Sequence, residues 1–154
     1  MGRSSNPSIH FYFKDVSFAL KDRKNLKDFI VRLFRKEQKE LSVLNYVFCT
    51  DEEILRINRK FLDHNYFTDV ISFDLSTAPK RIEGEIYISV DRIRENARFF
   101  KVSTKEEVCR VLFHGALHLC GYNDKSLPQK KTMRKKEDFY LRKYLLFHVK
   151  HKLG

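Results

Sequence analysis

The sequence predicts one domain of the α+β or α/β class, built on about four strands, and three observations carry that expectation. The 154 residues suit a single domain, long enough to bury a core without disulfide or metal staples. Segments with strand and helix patterning interleave along the chain, yet they are too few for a full doubly wound fold. No internal repeat, low-complexity tract or linker-like stretch divides the sequence.

A short β-prone run over residues 9–13 comes first. Asn25 then stands where it can cap a helix. Its apolar face is Leu26, Phe29, Ile30, Leu33 and Phe34, a stripe at i, i+3, i+4, i+7 and i+8. Residues 41–49 are rich in Val, Leu, Tyr and Phe and read as a strand. Thr50 with Glu53 is a capping-box pattern, opening a helix that turns Ile54 and Ile57 inward. Residues 63–66 make a polar turn. Strands are expected over 70–75 and 84–90, joined by a loop over 76–81 that contains Pro79. Ser89 or Asp91 opens a helix through Ile93, Ala97 and Phe100. Thr104 with Glu107 repeats the capping-box pattern and opens a helix through Val108, Val111, Leu112 and Leu119. Gly121 should stop it. Ser126 and Pro128 begin a last, basic helix, with Phe139, Tyr140, Leu141, Leu145 and Leu146 as its apolar residues.

A hydrophobic fraction of 42% and an aromatic fraction of 14% exclude a disordered tail. The formal net charge is +11, and it is uneven. From residue 125 onward ten Lys or Arg stand against Glu137 and Asp138, a net of +8. That balance favours a polyanionic partner such as nucleic acid over a merely solvated basic surface. Cys49, Cys109 and Cys120 form no CxxC pair and, being odd in number, no disulfide framework. No apolar run approaches the ~18 residues of a membrane span, and no signal-peptide pattern opens the chain. A reducing cytoplasm is the expected compartment.

The segment Phe113-His114-Gly115-Ala116-Leu117-His118-Leu119-Cys120-Gly121-Tyr122-Asn123-Asp124 carries the chemistry. Histidines at i and i+4 share one helix face, so both imidazoles reach a single ion near ~2 Å. Gly121 permits the left-handed residue that turns the chain back, and Asp124 can then supply a third ligand. Three protein ligands with one open position is the pattern of a catalytic metal. Two helical histidines alone read more readily as hydrogen-bonded core residues, and the alternative role of Asp124 is a cap for the helix near Ser126. The Glu of HExxH is absent, because Gly115 occupies its place.

Residues 114–124 resemble the HGxLHLxGYDH signature of the YbeY endoribonuclease family. Two further segments agree in order and spacing. Thr68-Asp69-Val70-Ile71-Ser72-Phe73 resembles the family's TDVLSF strand, and Glu83-Gly84-Glu85-Ile86-Tyr87-Ile88-Ser89 its LGDIxIS strand. The resemblance covers residues 54–125. It implies an α+β fold with a mixed sheet, and one divalent metal ion, zinc by type, held by His114, His118 and Asp124. It also implies a role in ribosomal RNA maturation at the 3′ end of the 16S species and in ribosome quality control. Single-stranded RNA and ribosomal subunits are the implied partners. Two departures stand out. Asp124 replaces the family's third His, and Leu62 stands where the family has an Arg for an RNA phosphate. Arg59 or Lys60 is the expected substitute for that guanidinium, and Glu85 the candidate general base.

The implied reaction is metal-assisted cleavage of single-stranded RNA, with an activated water or the RNA 2′-OH as nucleophile. A different class of function uses the same basic surface: a ribosome-associated assembly factor with little or no cleavage. A metal-dependent hydrolase of peptides or small molecules fits less well, given Gly115 and the charge.

Overall fold

The computed structural model describes residues 6–63 and 68–153, with side chains through residue 146. The expected turn over 63–66 lies outside them except for Asp63. Nine elements follow in chain order: β1 (Ser8–Phe13), α1 (Arg23–Lys36), β2 (Glu40–Cys49), α2 (Asp51–Phe61), β3 (Val70–Asp74), β4 (Arg81–Ser89), α3 (Val90–Phe100), α4 (Thr104–Leu119) and α5 (Leu127–Leu153). The sheet has four strands in the order β1-β2-β4-β3. β1 and β4 run parallel to β2, and β3 pairs antiparallel with β4, so the sheet is mixed and the class is α+β.

Strand alternation sorts the side chains onto two faces. Ile9, Leu44, Tyr46, Phe48, Ile82, Ile86 and Ile88 point to one face, where they join a single core with α1, α3, α4 and α5. The α1 stripe is buried as its spacing requires: Leu26, Phe29, Ile30, Leu33 and Phe34. The opposite face carries a small cluster, in which Ile54 and Ile57 of α2 meet Cys49, Ile71, Phe73 and Tyr87.

The seating of α4 positions everything that follows. A Cβ on Gly115 would stand 2.9 Å from Ile86 of β4, and a Cβ on Gly84 of β4 would stand 2.5 Å from Leu119. One glycine on the helix and one on the strand therefore let α4 lie directly on the sheet. Gly115 is a packing residue, which explains why a glutamate has no room at that place.

Several boundaries move. The first helix begins before Asn25: its N-cap is Asp22, left-handed at φ 57° and without a side-chain cap, while the Asp22 carboxylate takes Lys105 at 3.0 Å. At α2 the expected cap holds, with Thr50 Oγ1 accepting from the Glu53 amide at 3.1 Å. Ser89, the first of the two expected alternatives, caps α3. The α4 box is displaced by one residue, because Ser103 is the cap and accepts from the Glu106 amide at 3.0 Å. Glu107 is thereby freed from the role expected of it. The last helix begins with a full capping box. Ser126 Oγ accepts from the Gln129 amide and Gln129 Oε1 accepts from the Ser126 amide. The strands expected over 70–75 and 84–90 are observed as Val70–Asp74 and Arg81–Ser89. Cys49, Cys109 and Cys120 are all free thiols. Among the described residues no helix is long and apolar enough to cross a membrane.

Candidate metal centre

His114 and His118 project from the last two turns of α4. The helix then ends in a Schellman motif. The Tyr122 amide donates to the Leu117 carbonyl and the Gly121 amide to the His118 carbonyl, at 3.1 and 3.0 Å. Gly121 sits at φ +107°, which a side chain would strain. The reversal carries Asp124 back to the histidines. The two imidazole Nε2 atoms are 3.0 Å apart, and Asp124 Oδ2 lies 3.4 Å from His114 Nε2 and 3.5 Å from His118 Nε2. Three ligands of a tetrahedral ion, bonded at about 2.0–2.2 Å, are separated by about 3.3–3.5 Å. The donor triangle fits one such ion, and among the described residues this is the group of His, Cys, Asp and Glu that does so.

The imidazoles are oriented from behind. His114 Nδ1 donates to Glu137 Oε2 at 2.6 Å, and His118 Nδ1 donates to the Tyr122 carbonyl at 2.8 Å. Both Nε2 lone pairs are thereby left for an ion, the arrangement by which bound histidines are usually held. Glu137 belongs to α5 and is 6% exposed. Arg110 of α4 compensates its charge at 3.1 Å and also takes Asp138 at 2.8 Å. Tyr122 is pinned in turn, its hydroxyl donating to Glu37 at 2.6 Å beneath the Lys136 ammonium. Burial alone pushes His114 down, but the Glu137 carboxylate outweighs it and, with Asp69 and Asp124, holds its pKa above the ordinary imidazole value. Burial and the neighbouring His114 charge push His118 below that value, against the pull of Asp124.

The remaining expected site residues are elsewhere. Glu85 follows Gly84 and precedes Ile86, the two β4 residues that face α4, so it points to the opposite side of the sheet. Its carboxylate accepts the Tyr87 hydroxyl there. Sharing no face with the histidines, Glu85 is not placed to act as the general base beside them. Arg59 and Lys60 are exposed on α2, also across the sheet from α4, and border a shallow hollow with Glu52, Leu55 and Arg56. Leu62 caps the end of α2 and is 38% exposed. Asp124 is not the cap of α5, since Ser126 and Gln129 fill that role.

The sequence model of the family described as "Endoribonuclease YbeY" matches residues 10–145. The chain belongs to the YbeY endoribonuclease family. Its activity is therefore that of an endoribonuclease, cleavage of phosphodiester bonds within RNA. Among YbeY relatives, an endoribonuclease of Cytophaga hutchinsonii is 44% identical over 131 residues, covering 85% of this chain and 92% of the relative. A Flavobacterium psychrophilum YbeY is also 44% identical over 136 residues, covering 88% of this chain and 94% of the relative. The solution structure of TM1509 from Thermotoga maritima is similar at TM-score 0.63 and 26% identity, covering 94% of this chain and 93% of that one.

Three residues of this YbeY chain escape sequence reasoning. Glu137 reads there only as charge, although an acidic residue inside a strongly basic helix is an available signal. Arg110 gives none. Glu107 reads as part of a cap. In the fold it is 5% exposed, and burial, with Asp69 and Glu137 nearby and Arg110 opposing, pushes its carboxyl up to about 7 from an ordinary value near 4.5. The folded state then holds this proton more tightly than the unfolded chain does. The contribution is present below pH ~4.5 and is lost as pH rises through about 7, a swing of about 3 kcal/mol. Glu107→Gln should therefore stabilise the metal-free protein by up to about 3 kcal/mol at pH 8 and by little at pH 5. Urea unfolding at the two pH values checks this, and a gap that does not widen with pH would refute it.

Proposed function

We propose that this protein is a single-strand-specific, metal-dependent endoribonuclease that matures ribosomal RNA at the 3′ end of the 16S species and acts in ribosome quality control. Its partners are then rRNA and ribosomal subunits, and its compartment is the cytoplasm. The observation that carries the reading is the triangle of His114, His118 and Asp124 donors, backed by Glu137 and the Tyr122 carbonyl, in a chain of this family. A divalent ion, zinc by its nitrogen ligands, supplies Lewis acidity toward a phosphodiester oxygen or an activated water.

The chain's own residues do the rest. Glu137 and the Tyr122 carbonyl fix the imidazole tautomers and ring planes. Asp124 adds one negative charge, so the site with a divalent ion carries a net charge of about +1. Exposed cations on α5 hold flanking phosphates. Lys130, Lys131 and Lys135 are exposed, whereas Lys136 is committed to Glu37 at 3.2 Å and drops out of that set.

Purified protein should cleave a single-stranded RNA, should spare the same sequence in a duplex and a peptide panel, and should lose that activity in His114→Ala. Equal cleavage by His114→Ala would overturn the reading, and binding to RNA without cleavage would favour the assembly-factor class instead. Binding of single-stranded RNA should also weaken with salt. The triple variant Lys130→Gln, Lys131→Gln, Lys135→Gln should flatten the log–log slope by about two, at about 0.7 for each phosphate no longer neutralised. An unchanged slope would mean these lysines are only solvated.

A further inference from the structure

Beside the metal centre, and sharing His114 as a wall, lies a cavity of 320 Å³. It is at the small end of the ~300–1,000 Å³ of ligand pockets. Its lining includes Asn96, Phe100, Glu107, Arg110 and Arg134, contributed by α3, α4 and α5. Glu107 is the unusual member. It is only 5% exposed, it borders the cavity, and among the described residues its carboxylate has no hydrogen bond or ion pair. Arg110, which lines the same cavity, is taken by Glu137 and Asp138. The carboxylate opens onto the cavity with no donor from the described residues against it, so a ligand held there can supply the donors.

We propose that this cavity is a nucleobase subsite, which takes one unpaired base of the RNA substrate and is built for guanine. The inference rests on the single-strand reading of the function. Guanine alone among the four bases offers two adjacent donors, N1–H and the 2-amino group, on its Watson–Crick edge, and the two Glu107 oxygens accept both. In a duplex that edge is occupied by the partner base, so only an unpaired base enters. The Phe100 ring, 55% exposed at the cavity margin, offers a stacking face, and the Asn96 amide offers a donor to the guanine O6. Arg134, 58% exposed, stands at the rim for an adjoining phosphate. The His114 wall places the base next to the point where the backbone is cut, so the subsite selects which phosphodiester is presented to the metal centre.

The test reads binding and needs no cleavage, so its failure is distinguishable from failure of the single-strand reading. Zinc-loaded protein at pH 8, where Glu107 is ionised, is titrated with 5′-GMP, 5′-AMP and 5′-IMP, followed by backbone amide shifts. GMP is expected to bind at least about tenfold tighter than AMP, the range of one bidentate base contact. IMP, which lacks the 2-amino group, should bind more weakly than GMP. Glu107→Gln should lose the preference by weakening GMP and leaving AMP unchanged. Phe100→Ala should weaken both alike. The proposal is overturned if the wild type binds GMP and AMP equally, if neither binds at millimolar concentration, or if the preference survives in Glu107→Gln. The three-ligand comparison on the wild type decides the matter even if a variant does not fold.

Discussion

His118→Ala is expected to leave the protein with well under one bound metal ion per chain in the presence of a competing chelator, and to reduce RNA cleavage by at least about a hundredfold. That factor is the upper end for losing a supporting partner of a ligand, and His118 is argued to be a ligand itself. With it gone, His114 and Asp124 remain as two donors 3.4 Å apart, too few for a closed three-ligand site. The ring is only partly buried, so the metal-free variant should unfold close to the wild type. This separates loss of metal from loss of fold. Metal content by elemental analysis, read beside a thermal melt, checks both. Full retention of metal in this variant and in His114→Ala would remove the site.

The second large effect is on stability. Arg110→Met should destabilise the metal-free protein by about 3 kcal/mol, the low end for breaking a buried ion pair from one side. The Arg110 side chain is 15% exposed and Glu137 8%, so little solvent screens the charge left behind. Among the described residues, His114 would then be left to partner the Glu137 carboxylate. Adding Glu137→Gln in the same chain should recover part of the loss, because it removes the uncompensated charge. Glu137→Gln alone should weaken metal binding by about 10–100-fold through the His114 tautomer. Urea midpoints of the two single variants and the double variant check the coupling. An Arg110→Met protein within about half a kcal/mol of the wild type would show that the α4–α5 network is not what holds Glu137 in place.

Periodicity made two features readable. The α1 stripe from Leu26 to Phe34 predicted its buried face, and the i, i+4 pair with Gly121 predicted that His114, His118 and Asp124 meet. Both are local geometry, set within a few helical turns. Errors arose where a local signal competed with a neighbour. Ser103 and Thr104 are adjacent cap formers, and choosing the second assigned Glu107 to a cap instead of a buried wall. Glu85 failed for a different reason. Alternation along β4 is visible in the sequence, but which parity faces α4 depends on Gly84 receiving Leu119, a contact between segments 35 residues apart. Glu137 and Arg110 join α5 to α4 across 27 residues, and nothing local in either helix announces the pairing. The family resemblance pointed to the same three residues without showing what orients them.

One divalent ion at His114, His118 and Asp124 should be required for cleavage of single-stranded RNA by this chain, and a stoichiometric titration tests that requirement. Protein stripped by chelator is given zinc in sub-equivalent steps, and the initial rate on a single-stranded oligonucleotide is followed at each step. The rate should begin at background, rise linearly and break at one equivalent per chain, with no rise in His118→Ala. A stripped protein that cleaves at the full rate, or a variant that follows the same line, would show that no ion at these three residues is required.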